Sequence, residues 1–223
     1  MSSTLPGSPK VTGNMKFQDL CQAIQNYTML DPERILSLRR LTDDINLRGI
    51  KGDIVECGSC KGGSSAVLRM AMGPSRKLWI YDSFQGMPKT CEQDGEEAKK
   101  YVATCLASKG DVLEILRATG AKPDEFVIRE GLFEDTFRKK LPEQVALLHC
   151  DADWYESVSI VLETLYPLIP VGGCVILDDF GFWEGCRRAF YDFCQKRGEK
   201  PLLERVGNTQ AFWIKGKEHN RND

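Results

Sequence analysis

Five short apolar runs, near 53–57, 77–82, 125–130, 145–150 and 173–178, alternate along this chain with stretches of helical character. Strands that are apolar throughout belong in a parallel sheet buried on both faces, and strand–helix alternation is how such a sheet is connected. The expected class is therefore α/β. Ahead of the first run, Phe17 to Tyr27 and Pro32 to Leu47 have helical periodicity, with Asp31 as N-cap and Pro32 at the first helical position. That predicts an N-terminal helical preface over 15–48. After the last run, segments at 201–206 and 210–214 flank Gly207-Asn208-Thr209, a hairpin signal that would close the sheet with an antiparallel pair. The Lys- and Glu-rich stretch Gln85 to Gly110 predicts a helix over about 96–107, and its place after the second run is consistent with either a lid or a plain surface excursion.

Two of the apolar runs end in paired acids. Asp151-Ala-Asp153 follows Val145 to Cys150, and Asp178-Asp179 follows Gly173 to Leu177. Residues just past the carboxyl ends of parallel strands face the ligand crevice, so both pairs converge on one rim. Carboxylates gathered this way repel one another unless a hard divalent cation such as Mg2+ lies between them. Any one of these acids could instead cap a helix, but two pairs in register with a glycine-rich loop favour the cation.

The loop is Glu56-Cys-Gly58-Ser-Cys-Lys-Gly62-Gly63-Ser64, between a short strand and a helix expected over Ser64 to Met72. Glycine permits close approach of backbone to a ligand, and the helix N-terminus offers free amides. The spacing departs from the dinucleotide fingerprint, and the acid before the first glycine suits a ligand bearing an ammonium group rather than a pyrophosphate. The next strand ends in Asp82, the position from which such folds bind ribose hydroxyls.

With 223 residues, 30 basic against 32 acidic, the chain has no basic run able to track nucleic acid. It also lacks an apolar stretch of membrane-spanning length, and Met1 to Gly13 is polar without a signal core. These features predict a disordered tail over 1–14, one domain over 15–216, a polar tail over 217–223, and a cytoplasmic protein with neither nucleic acid nor membrane as partner. Nine cysteines, an odd number scattered through strands and helices, argue for reduced thiols. Cys57 and Cys60 have redox spacing but no second pair to complete a zinc tetrad, and Cys150 and Cys174 read as core. His149, inside a strand, reads as a buried, hydrogen-bonded residue; Trp154, Tyr155, Phe180, Phe182 and Trp183 are candidates for a substrate wall.

Glu56-x-Gly58 with Gly62-Gly63, Tyr81-Asp-Ser-Phe-Gln-Gly-Met-Pro88, Gly131-x-Phe-x-Asp-Thr136, Asp151-x-Asp153-x-Tyr-Glu-Ser157 and Gly172-Gly-x-x-Ile-x-Asp-Asp179 together resemble the macrocin O-methyltransferase family, in its order and over roughly Leu47 to Trp213. The family comprises class I S-adenosylmethionine enzymes of natural-product tailoring. The resemblance implies a Rossmann-like, seven-stranded sheet and Mg2+-dependent transfer of methyl to a hydroxyl. It implies Asp151, Asp178 and Asp179 as metal ligands and Asp153 as general base. It also implies a cofactor site of Glu56 near the methionine ammonium, Gly58 and Ser64 at the loop, Asp82 and Ser83 at the ribose, with Gly131 and Asp151 completing it. The expected partner is a small hydroxyl-bearing acceptor, a sugar moiety or vicinal diol, with a homo-oligomer as the expected assembly. A catechol-like acceptor, a non-catalytic cofactor-binding domain and an NAD-dependent oxidoreductase are the other readings; the glycine spacing and clustered acids disfavour the last.

Overall fold

The computed structural model describes residues 16–217; the tail expected over 1–14 and all but the first residue of the expected C-terminal tail lie outside the described residues. Helices α1 (Phe17–Ile24) and α2 (Pro32–Leu47) precede β1 (Asp53–Cys57), α3 (Gly63–Ala71) and β2 (Leu78–Asp82). Then come α4 (Gly95–Ala98), α5 (Lys109–Ala118), β3 (Phe126–Glu130), α6 (Phe133–Thr136), β4 (Val145–Cys150), α7 (Tyr155–Leu165), β5 (Cys174–Leu177), α8 (Glu184–Arg197), β6 (Glu204–Val206) and β7 (Gln210–Ile214). The seven strands form one sheet in the order β3-β2-β1-β4-β5-β7-β6. The first five are parallel, while β7 runs antiparallel to both β5 and β6. The α/β class and the closing hairpin match the sequence expectation.

The central strands bury both faces because their residues alternate between two cores. Val55, Cys57, Trp79, Tyr81, Leu148, Cys150, Val175 and Leu177 point toward α7 and α8. Ile54, Leu78, Ile80, Leu147, Cys174 and Ile176 point toward α1, α2, α3 and α5. This is the period of two expected of a pleated strand, with both sets apolar. Trp154 and Trp213 are among the largest fully buried side chains, each sequestering on the order of 200 Å² of mostly apolar surface. Strand order reverses direction of growth at β1 and β4, which opens the crevice at their carboxyl ends.

The helical preface is built as its sequence suggests. Asp31 Oδ1 accepts from the Glu33 and Arg34 amides at 2.9 and 3.0 Å, with Pro32 in the first turn. The stretch over 85–110 corrects the expectation of a helix over 96–107. α4 stops at Ala98, a single 3-10 turn runs to Tyr101, and Ala103 and Cys105 take left-handed φ of 62° and 56°. Backbone pairing wins over helix propensity here: Ala103 N donates to Met87 O at 2.9 Å and Met87 N donates to Thr104 O at 3.0 Å. The regular helix begins later, at α5, where Ser108 and Asp111 form a capping box. All nine cysteines are unpaired. Among the described residues no helix is long and apolar enough to cross a membrane.

Candidate active site

A cavity of about 1020 Å³ opens at the carboxyl ends of β1, β2 and β4. It is lined by Gly58, Ser64, Asp82, Ser83, Gly131, Asp151, Asp153, Asp178 and Asp179, which are all but one of the cofactor, metal and catalytic candidates from the sequence. The exception is Glu56. Its side chain is wholly buried behind the loop, accepting from Ser65 Oγ and lying 3.0 Å from His149 Nδ1. Parallel register explains this, because Glu56 and His149 are paired neighbours on β1 and β4 and so emerge on the same sheet face under α3. In this structure Glu56 therefore ties together the strand and helix that carry the loop.

Glycine at 58 is also required by the chain's own packing. A β-carbon there would stand 1.7 Å from the Asp151 carbonyl oxygen, and φ is +86°. Glycine is required so that the loop can cross the end of β4, where Asp151 N donates to Cys57 O at 2.8 Å. Gly63 does the same against the preface: its β-carbon would lie 2.7 Å from the Tyr27 carbonyl oxygen, to which its amide donates at 3.0 Å. The α1–α2 connection is thereby seated on the loop, and Asn26 to Leu30 become one wall of the cavity.

Asp82 organises the loop from the next strand. Its Oδ2 accepts from the Ser59 and Cys60 amides at 2.7 and 2.8 Å, and its Oδ1 accepts from Phe84 N at 2.8 Å. Ser83 Oγ accepts from Gln85 N at 3.1 Å, and Gly131, with φ of +134°, donates to the Asp82 carbonyl at 3.0 Å. Both the turn role and the cavity position of Asp82 therefore hold at once. Cys57 is buried and its thiol is pushed well up by burial, so it is poor as a thiolate nucleophile or metal ligand.

The acids on the cavity floor are the site's main electrostatic feature. Oxygens of Asp151, Asp153 and Asp179 all lie within 4.8 Å of one another, and Asp179 Oδ2 is buried without a hydrogen-bond partner. Burial, then mutual repulsion, raises Asp151 and Asp179 well above the ordinary carboxylate range. Asp153 rises to about 6, chiefly through burial, against the lowering effect of the Trp183 indole, whose Nε1 donates to Asp153 Oδ1 at 3.0 Å. Asp153 also holds a left-handed φ of 55°, unusual outside glycine. Three crowded carboxylates, one of them with the unpartnered Asp179 Oδ2, are an oxygen-only donor set that fits a hard divalent cation, which would hold them ionised.

Asp178 stands apart from the other three acids in this structure. Its Oδ2 accepts from Arg34 Nη1, its Oδ1 accepts from Gln210 Nε2 at 2.8 Å, and His149 Nε2 stands 3.6 Å from Oδ1. The converging set is therefore Asp151, Asp153 and Asp179, with Asp178 occupied by a cation of the chain itself. Burial opposes ionisation of Asp178, but the His149 and Arg34 partners outweigh it and hold this acid below the usual range. Against burial, Asp178 together with Glu56 holds His149 up at about 9. Sequence reasoning placed His149 as a buried, bonded residue, which it is, but not in this relay.

Of the five candidate wall aromatics, Trp154, Phe182 and Trp183 line the cavity. Tyr155 instead bonds Asp192 at 3.0 Å, and Phe180 packs on Phe190 and Tyr191. Arg34 and the Asn26 to Leu30 wall were missed. In sequence, Asp31-Pro-Glu-Arg34 signals only a helix start, and nothing local marks a side chain that reaches across to β5.

Residues 10–215 match the family model described as macrocin-O-methyltransferase (TylF). An 8-demethyl-8-(2,3-dimethoxy-alpha-L-rhamnosyl)-tetracenomycin-C 4'-O-methyltransferase of Streptomyces olivaceus is 31% identical over 196 residues, covering 84% of this chain and 75% of that protein. A demethyldecarbamoylnovobiocin O-methyltransferase of Streptomyces niveus is 28% identical over 197 residues, with the same coverage of 84% and 75%. Among solved structures, the O-methyltransferase NovP superposes with a TM-score of 0.76 at 27% identity, over 85% of this chain and 82% of that one. A seven-stranded class I fold, a cavity at its carboxyl rim and a match running almost end to end agree: the chain belongs to the macrocin O-methyltransferase family of S-adenosylmethionine-dependent enzymes.

Proposed function

We propose that this chain transfers methyl from S-adenosylmethionine to a hydroxyl of a small natural product, a sugar moiety or vicinal diol, in a Mg2+-dependent reaction in the cytoplasm. The observation that carries the reading is the convergence of Asp151, Asp153 and Asp179 on the cavity floor, beside a loop whose backbone is open to a ligand. A relative named for O-methylation of a rhamnosyl-tetracenomycin, with others named for O-methylation of demethyldecarbamoylnovobiocin and mycinamicin III, supports the acceptor class. Unpaired cysteines throughout support a reducing compartment.

The cofactor would lie along Gly58, Ser64, Asp82, Ser83 and Gly131, reaching the acids at Asp151. Mg2+ would be held by Asp151 and Asp179, with Asp178 as third acid, and would supply Lewis acidity that lowers the pKa of an acceptor hydroxyl. Asp153 then takes the hydroxyl proton. Trp183 donates to one of its oxygens and fixes the carboxylate, which would leave the other free to accept that proton. A sulfonium methyl already has a good leaving group, so the remaining task is to hold oxygen, methyl carbon and sulfur in line. Trp154, Phe182 and the Asn26 to Leu30 wall bound the acceptor side and exclude water.

The test is methyl transfer from labelled S-adenosylmethionine to a panel of rhamnosides and catechols, run with EDTA and after Mg2+ is returned. Transfer to a diol that vanishes in EDTA and recovers with Mg2+ is expected. Full transfer in EDTA would remove the metal from the mechanism, and transfer to catechols alone would replace the sugar with a phenol.

A further inference from the structure

Among the cations lining the cavity, Arg34 is the one bonded into the acid cluster. Its Nη1 donates to Asp178 Oδ2, its Nε to Asp31 Oδ2 at 3.0 Å, and its Nη2 to the Met29 carbonyl at 3.3 Å. The Arg34 side chain is only 15% exposed and that of Asp178 2%. Asp31 is also the N-cap of α2, so the donor fork is held at its base by the helix that carries it. Asp178, for its part, follows directly on β5 and adjoins Asp179, whose Oδ2 has no partner. Arg34 on the cavity side and His149 on the sheet side thus face Asp178, while Asp151, Asp153 and Asp179 crowd one another beside it.

We propose that Arg34 is a tethered counter-ion that competes with the divalent cation for Asp178 and is displaced from it when the metal binds. This inference rests on the metal reading above and goes beyond it, assigning to the N-terminal preface a part in metal loading. The physical reason is charge. Buried carboxylates held together without a cation are costly, and a guanidinium on a side chain fixed by Asp31 can neutralise one of them while the metal site is empty. Once Mg2+ is present, a second cation at the same oxygens repels it. Displacement costs little because Asp31 and the Met29 carbonyl still accept from the released guanidinium. Arg34 therefore lowers metal affinity while protecting the empty site.

The experiment is Mn2+ binding, followed by the loss of the free-ion paramagnetic resonance signal, in wild type, Arg34→Gln, Arg34→Lys and the same changes in an Asp178→Asn background. Removing one positive charge a few ångströms from a divalent ion should tighten binding by roughly tenfold in Arg34→Gln. Arg34→Lys, which keeps the charge, should stay near wild type, and Arg34→Gln should add little once Asp178 is Asn. A structural role alone would not move affinity upward, and unchanged or weaker Mn2+ binding in a folded Arg34→Gln protein overturns the inference. In wild type, where folding is not in question, the slowly exchanging Arg34 Nε proton resonance should shift or broaden as Mg2+ is added. A resonance that stays fixed while Mg2+ saturates the site overturns it equally. Wild-type protein that binds no divalent cation removes the metal reading itself, and the inference with it; that result is distinct from binding that ignores Arg34.

Discussion

The Trp183 indole donates from Nε1 to Asp153 Oδ1 at 3.0 Å, tying the start of α8 to the acid expected to act as base. Trp183 is itself nearly buried, packed edge-on against Trp154 and Tyr101. Asp153, which takes a left-handed backbone, is therefore held from its own chain and from across the cavity. A base fixed in this way loses little entropy when it accepts a proton.

Asp153→Asn is expected to keep metal and cofactor while turnover falls roughly 100-fold to 10,000-fold, the usual range for a positioned base. Trp183→Phe should retain the ring but not the donor, and lower turnover by about tenfold with metal affinity unchanged. Steady-state kinetics over a Mg2+ titration decide the point. Recovery of Asp153→Asn by excess Mg2+ would make Asp153 a ligand, the role its place in the converging trio also permits.

Asp179→Asn should weaken metal binding, and excess Mg2+ should restore part of the rate. Asp178→Asn should weaken it too, if that acid is the third ligand. Calorimetry of Mg2+ binding to both variants is the check; unaltered affinity in Asp178→Asn would leave that residue as the partner of Arg34 and His149 alone.

Gly58→Ala should be damaging through the fold before any ligand is present. The added carbon would meet the Asp151 carbonyl and force a positive φ on alanine, at a cost of roughly 2–4 kcal/mol. Thermal denaturation without cofactor reads this directly. A melting temperature equal to wild type, with cofactor affinity lost, would return the glycine to the ligand-facing role.

Metal-free protein should lose stability as pH rises. Asp153 is raised in the fold to about 6, while an unfolded aspartate titrates near 4. The folded state thus holds the proton more tightly, its stabilising contribution is complete below about 4, and it is lost as pH climbs through 6. Asp151 and Asp179 act in the same direction. In EDTA the melting temperature should fall by a few degrees between pH 5 and 7. Mg2+ should raise it more at pH 7.5 than at pH 5, since binding releases protons. A stabilisation by Mg2+ that is the same at both pH values would contradict the assignment of these acids.

The parallel strands, the closing hairpin, the preface helix with its Asp31 cap and the glycine loop were legible in the sequence, because each depends on neighbours within a few positions. Apolar runs give strands, caps give helix starts, and acids just past strand ends must meet at the rim of a parallel sheet. The helix expected over 96–107 failed for the complementary reason: Met87 pairs with Ala103 and Thr104, and that long-range pairing outweighs local propensity. Which acids converge was also beyond the sequence. Register alone puts Glu56 against His149 and out of the cavity, and the path of α2 over the sheet brings Arg34 to Asp178 across 144 residues of chain. Local chemistry determines which groups reach the rim; only packing between distant elements determines which of them pair with one another and which are left facing a ligand.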